Sequence, residues 1–137
     1  MKSPKETALD RKILKTLDGI CRDAVEYMIS DPEITHLQDY ANTVSIKRLN
    51  YNDHGPVHMR KVALNAIVMA GLLRKNGIKF SLEKEGCGTY EDSLVAVVIS
   101  AFLHDTGMSI GRQDHEKNSV VLAAPIIERI LRKIYVD

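Results

Sequence analysis

A ten-residue run, residues 94–103, is apolar except for Ser100 and is followed directly by His104 and Asp105. A run of this kind is suited to burial, so it brings an imidazole and a carboxylate to the edge of the core. A buried polar group without a partner costs roughly 2–7 kcal/mol. These two side chains therefore need partners, and a divalent metal ion is the most economical partner for histidine and aspartate together.

The length and composition are those of a single globular domain. The chain has 137 residues, of which 45% are hydrophobic and 27% are charged, a size and balance that suit one core. We expect one domain over residues 1–137, with an N-terminal helical part over 1–49 and a motif-bearing core over 50–137. The net charge of +1 gives no overall attraction to nucleic acid or to a membrane surface.

The sequence predicts a cytoplasmic location. Its N-terminus lacks the apolar stretch of a signal peptide, and its longest apolar run is shorter than the roughly 20 residues that span a bilayer. Cys21 falls in an amphipathic pattern and Cys87 in a glycine-rich stretch. Nothing here indicates the oxidising compartment in which a disulfide between them would form.

Apolar periodicity predicts an all-α fold of four or five helices, in the form of a helical bundle. Ser3 and Glu6 form a capping-box pattern ahead of one helix that ends near residue 30. A short helix and a connector are expected over 34–49. Turn-forming residues at 51–56 precede a second long helix over 57–75, which Asn76 and Gly77 end, and residues 77–91 are expected to be an exposed loop.

The third long helix is predicted over residues 94–105. Its Val-Val-Ile run also has strand propensity, but a length of about twelve residues favours helix, and no other segment offers itself as a partner strand. After a loop over 106–113, Asp114 can cap a last helix over 115–135, which Pro125 either kinks or divides.

The two long central helices predict a metal site where their ends meet. His58 lies at the start of the second long helix, and His104 and Asp105 lie at the end of the third. Antiparallel packing would bring those ends together, as in metal sites built between helices of a bundle. Imidazole suits Zn, Fe, Ni, Co or Mn, and the carboxylate shifts the preference toward harder ions such as Mn and Mg.

Two segments, His58-Met-Arg-Lys-Val-Ala63 and Leu103-His-Asp-Thr-Gly107, together resemble the HD superfamily of metal-dependent phosphohydrolases. The signature of that family is a histidine, then a His-Asp doublet, then a distant aspartate. The resemblance covers roughly residues 50–125 and implies that His58, His104 and Asp105 are metal ligands. The distant aspartate is not matched, because Asp114 is too close to the doublet and Asp137 is terminal. Either the bundle lacks its last helix or its metal shell is incomplete.

Further candidates surround this signature. His54 is expected in the loop beside the site, as a second-metal ligand or a phosphate contact. The resemblance implies that His115 is a general acid or a second-metal ligand, because the branch that hydrolyses deoxynucleoside triphosphates has an active-site histidine near this position. A surface histidine is the alternative. Arg112 is the best placed of the possible phosphate partners, which are Arg48, Arg60, Lys61 and Arg112.

The resemblance implies hydrolysis of a nucleotide or another small phosphate ester. A homo-oligomer is a further possibility. In this reading Asp105, Arg112 and His115 are the catalytic candidates, and His54, His58, His104 and Asp105 hold the metal. The alternative is a degenerate module that binds a nucleotide or a protein partner without catalysis. A third possibility, ranked last, is oxygen chemistry on a di-iron site.

Overall fold

Seven α-helices and two short helical turns make up the part of the chain that the computed structural model describes, residues 1–50 and 52–135. A π-helical turn, Thr43–Arg48, follows the third helix, and a 3-10 turn, Thr106–Ser109, follows the sixth. Within these described residues there is no strand, which confirms the predicted all-α class. The helices are α1 Pro4–Lys15, α2 Gly19–Ser30, α3 Pro32–Asn42, α4 Pro56–Lys75, α5 Ser81–Lys84, α6 Tyr90–Leu103 and α7 His115–Ile134.

The first predicted helix is in fact two helices. Its start is as expected: Glu6 donates its backbone N–H to Ser3 Oγ at 3.2 Å, and Glu6 Oε2 accepts the Ser3 N–H at 2.8 Å. The prediction of one unbroken helix is wrong, because α1 ends where the Thr16 hydroxyl donates to the Ile13 carbonyl at 2.7 Å. The chain then turns at Gly19, whose φ of +52° is a backbone conformation that favours glycine. The apolar stripe continues across the break, so periodicity alone could not reveal it.

The α6 helix lies at the centre of the fold and runs antiparallel to α4. Its start is fixed by a capping box, in which Thr89 Oγ1 accepts from the Asp92 N–H at 3.2 Å and Asp92 Oδ2 accepts from the Thr89 N–H at 2.7 Å. At this end, Arg74 of α4 contacts Glu91 at 3.2 Å. At the opposite end the start of α4 meets the end of α6. The prediction of a helix rather than a strand in this segment is confirmed, although the helix begins at Tyr90 and ends at Leu103 instead of spanning residues 94–105.

The core is shared by both halves of the chain. The main hydrophobic cluster takes residues from α1, α2, α4, α6 and α7. A smaller second cluster is formed by Ala41, Met59 and Met108. Residues 1–49 and 52–135 are therefore packed together as one unit rather than as two. The completely buried members of the main cluster are Ile13, Ala24, Val25, Ala63, Val98, Phe102 and Ile130.

Two further sequence predictions concern α7 and the cysteines. The α7 helix continues through Pro125, which lies on its exposed face, so the proline does not divide it. Cys21 is buried in the core, and burial is the main reason that the pKa of its thiol is raised to about 12. Cys87 is exposed. Among the described helices, none combines the length and the hydrophobicity needed to cross a membrane.

Candidate metal centre

Four histidines and one aspartate from four segments meet at one end of the bundle. His54 lies in the loop before α4, and His58 lies in the first turn of α4. His104 and Asp105 directly follow α6, and His115 is the first residue of α7. Pro56 occupies the first helical position of α4, a position that tolerates proline because no backbone donor is needed there.

The four imidazole rings surround the carboxylate of Asp105, which is only 4% exposed. His54 Nδ1 lies 2.9 Å from Asp105 Oδ2, and His58 Nε2 and His104 Nε2 each lie 3.2 Å from the same oxygen. His115 Nε2 lies 3.6 Å from the other oxygen, Oδ1. Ligand atoms of His54, His58 and Asp105 all lie within 4.8 Å of one another, so these three residues could hold a metal ion.

Hydrogen bonds to the backbone fix the tautomer of two of these rings. His104 Nδ1 lies 2.8 Å from the Ala101 carbonyl, and His115 Nδ1 lies 2.9 Å from the Arg112 carbonyl. Because a carbonyl oxygen can only accept, each Nδ1 carries a proton and donates it. In each ring Nε2 is then the atom that faces Asp105.

This arrangement calls for a cation. An unprotonated Nε2 presents a lone pair, and a lone pair repels a carboxylate oxygen at 3.2 Å, so either a proton or a metal ion has to lie between them. In metal-bound histidines the ring nitrogen that does not bind the metal usually donates to a backbone carbonyl or a carboxylate, as Nδ1 does here. A set of imidazoles with one carboxylate therefore fits a divalent transition metal.

The pKa shifts within the cluster also favour a bound cation. Burial acts to raise the pKa of the Asp105 carboxyl, but hydrogen bonds from His104 and His54 outweigh it and hold that pKa well below its usual range. The hydrogen bond with Asp105 raises the pKa of His104. Burial is the main reason that the pKa of His58 is lowered; the Asp105 carboxylate opposes this shift, and His104 and His54 add to it. The carboxylate is thus kept ionised and attracts positive charge to the centre of the cluster.

A buried polar network fixes the two helix ends that carry His58 and His104. Arg60, which is 2% exposed, donates to Asp10 Oδ1 at 2.6 Å, to Gln38 Oε1 at 2.9 Å and to the Pro56 carbonyl at 3.1 Å. Gln38 in turn donates to the Phe102 carbonyl at 2.9 Å. The network therefore joins α1 and α3 to the first turn of α4 and the last turn of α6.

Two further contacts place His54 and His115. The buried Ser45, within the π-helical turn, donates to the Asn52 carbonyl at 2.7 Å and so holds the loop that carries His54. On the other side, Ser119 Oγ accepts from the Gly107 N–H at 2.8 Å and donates to the His115 carbonyl at 2.8 Å. A Cβ at position 107 would lie 2.0 Å from that same carbonyl oxygen, so only glycine allows this approach of α7.

Arg112 lies beside the cluster. It lines a cavity of about 210 Å³ together with Asn52, His54, Met108 and His115. The structure thus brings the sequence candidates Arg112, His54 and His115 together in one region. The candidate metal ligands His54, His58, His104 and Asp105 are likewise brought together.

Other sequence candidates lie elsewhere. Arg60 is buried in its ion pair with Asp10, so the suggestion that it contacts phosphate is wrong. Asp114 occupies the predicted cap position of α7 but makes no capping hydrogen bond with its side chain. It pairs instead with Lys117 at 3.0 Å. Asp137 lies outside the described residues.

Sequence reasoning missed Asp10, Gln38, Ser45 and Ser119. Each acts through a hydrogen bond to a residue on another element, and no local pattern encodes such pairs. One signal was available: Arg60 lies between Met59 and Ala63 on the buried face of α4, where a charged side chain needs a buried partner.

Comparisons with known proteins give one similarity. No protein-family profile matches the chain, and no solved structure matches it. The chain is similar to a protein of Methanocaldococcus jannaschii named Uncharacterized protein MJ1020, with 39% identity over 127 residues. The aligned region is 93% of this chain and 49% of that relative, so the chain spans about half the length of the relative.

Proposed function

We propose that this protein is a metal-dependent phosphohydrolase that acts on a nucleotide or another small phosphate ester. The observation that carries the proposal is the convergence of His54, His58, His104 and His115 on the buried carboxylate of Asp105. A mere packing role does not explain why four imidazoles surround one carboxylate. The resemblance of the His58 and His104-Asp105 segments to the HD superfamily supports the same function.

The metal would be held by His54, His58, His104 and Asp105. A divalent ion at this position would supply positive charge that polarises a phosphoryl oxygen and makes water more acidic. Several imidazoles with one carboxylate favour Zn, Fe, Co, Ni or Mn over Mg, which prefers oxygen ligands. The hydrogen bond from His104 to the Ala101 carbonyl holds this ring with Nε2 toward Asp105.

The phosphate would be bound on the side of Arg112. Arg112 lines a cavity that His54 and His115 also line, and the positive charge of Arg112 would stabilise the negative charge that develops on the phosphoryl oxygens. His115, with Nε2 directed at the cluster and Nδ1 held by the Arg112 carbonyl, is placed to donate a proton to the leaving oxygen.

The proposal is tested by metal analysis and by a phosphatase screen of the purified protein with Mn²⁺ or Zn²⁺. His104→Ala and Asp105→Ala should each lose bound metal and phosphate release while the helices stay folded. His36→Ala is the matched control, because His36 is an exposed histidine of α3 and should leave both unchanged. Full retention of metal by the first two variants would reject the assignment.

A second candidate is a module that binds a phosphorylated ligand without hydrolysing it. Met108 favours this candidate, because some HD families have at this position a lysine that can contact phosphate, and methionine cannot. Met108 is 1% exposed and packs with Ala41 and Met59. Binding of a nucleotide by the metal-loaded protein, with no release of phosphate over many hours, would identify this case.

A further inference from the structure

A groove of about 590 Å³ between α6 and α7 opens directly onto the cluster. His104, Asp105 and His115 form one end of it. The groove is separate from the smaller cavity at Arg112, and His115 borders both. A molecule held at the cluster could therefore extend in either direction, and the chemistry of the groove wall indicates what part of it would lie there.

The wall of the groove is mainly apolar. Its aliphatic side chains are Leu103, Val120, Ala123, Ala124 and Ile127. Alanines at two successive positions of α7 leave room where larger residues would close the groove. Ser119 also borders it, but its hydroxyl is already engaged with Gly107 and His115.

The charges of the residues that line the groove argue against a second anionic group of the substrate in this groove. None of the described residues that line the groove is a lysine or an arginine, and Glu116 contributes a negative charge at its edge. The β- and γ-phosphates of a nucleoside triphosphate would find no cation among these residues and would lie beside the like charge of Glu116. An uncharged, mainly apolar group would instead replace water over the aliphatic wall.

We propose that the substrate is a phosphate monoester whose organic group is mainly apolar and lies in this groove. The inference rests on the proposed function and narrows its substrate class. The volume of the groove lies within the range of small-molecule sites, about 300–1,000 Å³. The phosphate lies at the cluster, beside Arg112, and the alcohol part lies between α6 and α7.

The reaction is an ordinary ester hydrolysis. Water adds to phosphorus through its oxygen, the bond between phosphorus and the alcohol oxygen breaks, and His115 supplies the proton that the leaving alcohol takes up. The proton lost by water restores His115, so the products are inorganic phosphate and the free alcohol. No oxidant or reductant takes part.

The test uses the metal-loaded protein with methyl, butyl and hexyl phosphate, and measures the release of inorganic phosphate. We expect kcat/KM to rise about two- to fourfold for each added methylene, as for transfer of a methylene into an apolar site. A flat series, or a preference for a nucleoside triphosphate over hexyl phosphate, would overturn the inference while leaving phosphohydrolase activity established.

Two adjacent valines of α7 give a matched pair of variants. Val120 and Val121 are 70% and 71% exposed, but of the two only Val120 lines the groove. Val120→Asn should lower kcat/KM for hexyl phosphate about three- to tenfold and change it less than about twofold for methyl phosphate. Val121→Asn should change neither. Equal effects of the two variants would overturn the inference.

Binding measurements separate this inference from the proposed function. If no ester is hydrolysed, the affinities of methyl, butyl and hexyl phosphonate for the metal-loaded protein are measured by calorimetry. Affinity that rises with chain length and falls in Val120→Asn would support the groove assignment although the hydrolase function had failed. Binding that is absent or independent of chain length would overturn the groove assignment as well.

Discussion

Replacing Arg60 by methionine should destabilise the whole fold, although Arg60 carries no proposed chemistry. Its guanidinium is the centre of the buried network and lies 2.6 Å from Asp10 Oδ1. It also donates to Gln38 and to the Pro56 carbonyl. Methionine fits a similar volume but donates nothing, so it leaves a carboxylate and an amide oxygen without this partner inside the protein.

The size of the destabilisation follows from the buried groups that lose Arg60 as a partner. Removing one member of a buried ion pair costs about 3–5 kcal/mol, because the remaining charge is not compensated. Asp10 keeps a second cation, Lys2, at 2.9 Å. The cost of leaving the Asp10 carboxylate without Arg60 should therefore be near the lower limit of this range. The oxygen of Gln38 then adds about 1–3 kcal/mol as an unsatisfied buried acceptor. We therefore expect a loss of about 4 kcal/mol in the free energy of unfolding.

The assay is urea unfolding followed by far-ultraviolet circular dichroism, because the chain contains no tryptophan. With a denaturant dependence of about 2 kcal/mol per molar urea, the midpoint should fall by about 2 M. Arg132→Met is the control: Arg132 pairs with Glu128 at 2.8 Å, but both side chains are mostly exposed, so its loss should cost less than about 0.5 kcal/mol.

A double-mutant cycle with Asp10→Leu isolates the pair itself. If Arg60 and Asp10 are coupled as the structure indicates, the double variant should be more stable than the sum of the two single losses predicts. A loss below about 1 kcal/mol in Arg60→Met, or additive losses in the cycle, would refute the reasoning.

Three further predictions concern other parts of the fold. Gly107→Ala should lower the free energy of unfolding by about 2–3 kcal/mol or more, because the added Cβ meets the backbone of α7 at 2.0 Å. In the native protein Cys87 should react with a thiol reagent and Cys21 should not, because burial raises the pKa of Cys21 to about 12. A hydrogen bond from Tyr135 lowers the pKa of Asp92. The native protein should therefore be more stable than Asp92→Asn above the ordinary carboxyl pKa of 3.8, and this difference should be lost as the pH falls below that value.

Each of these has a control and a contradicting result. Gly111→Ala should be harmless, because nothing lies within 4 Å of its Cβ position. Equal losses at positions 107 and 111 would contradict the close approach of α7. Cys87→Ser should remove the fast-reacting thiol, and a remaining fast reaction would mean that Cys21 is accessible. A melting-temperature difference between native protein and Asp92→Asn that is the same at pH 7 and about pH 3 would contradict the linkage.

The sequence predicted those parts of the fold that depend on local patterns. Ser3 with Glu6 and Asn76 with Gly77 mark helix ends correctly, because capping residues act on backbone groups a few positions away. The break between α1 and α2 was missed. Its turn at Gly19 interrupts the helix without interrupting the apolar stripe, so hydrophobic periodicity carries no trace of it.

The candidate site was predictable where it lies on helix ends. His58 and His104 are brought together because α4 and α6 are antiparallel, so that the start of one helix lies beside the end of the other. The supporting residues were not predictable in the same way. Gln38 reaches a carbonyl 64 positions away in the sequence, and only the packed structure shows which helices are close enough for such a bond.

The π-helical turn Thr43–Arg48 makes the placement of His54 depend on chain length as well as on residue type. A π-turn accommodates one residue more than an α-turn, and each residue of an α-helix advances the chain by 1.5 Å and rotates it by about 100°. Deleting one residue here would therefore let the segment relax to ordinary α-helix and change the direction in which the chain leaves it. Substitutions at exposed positions of the turn, such as Lys47, should have little effect. Deletion of a single residue should instead move the His54 imidazole away from the other three.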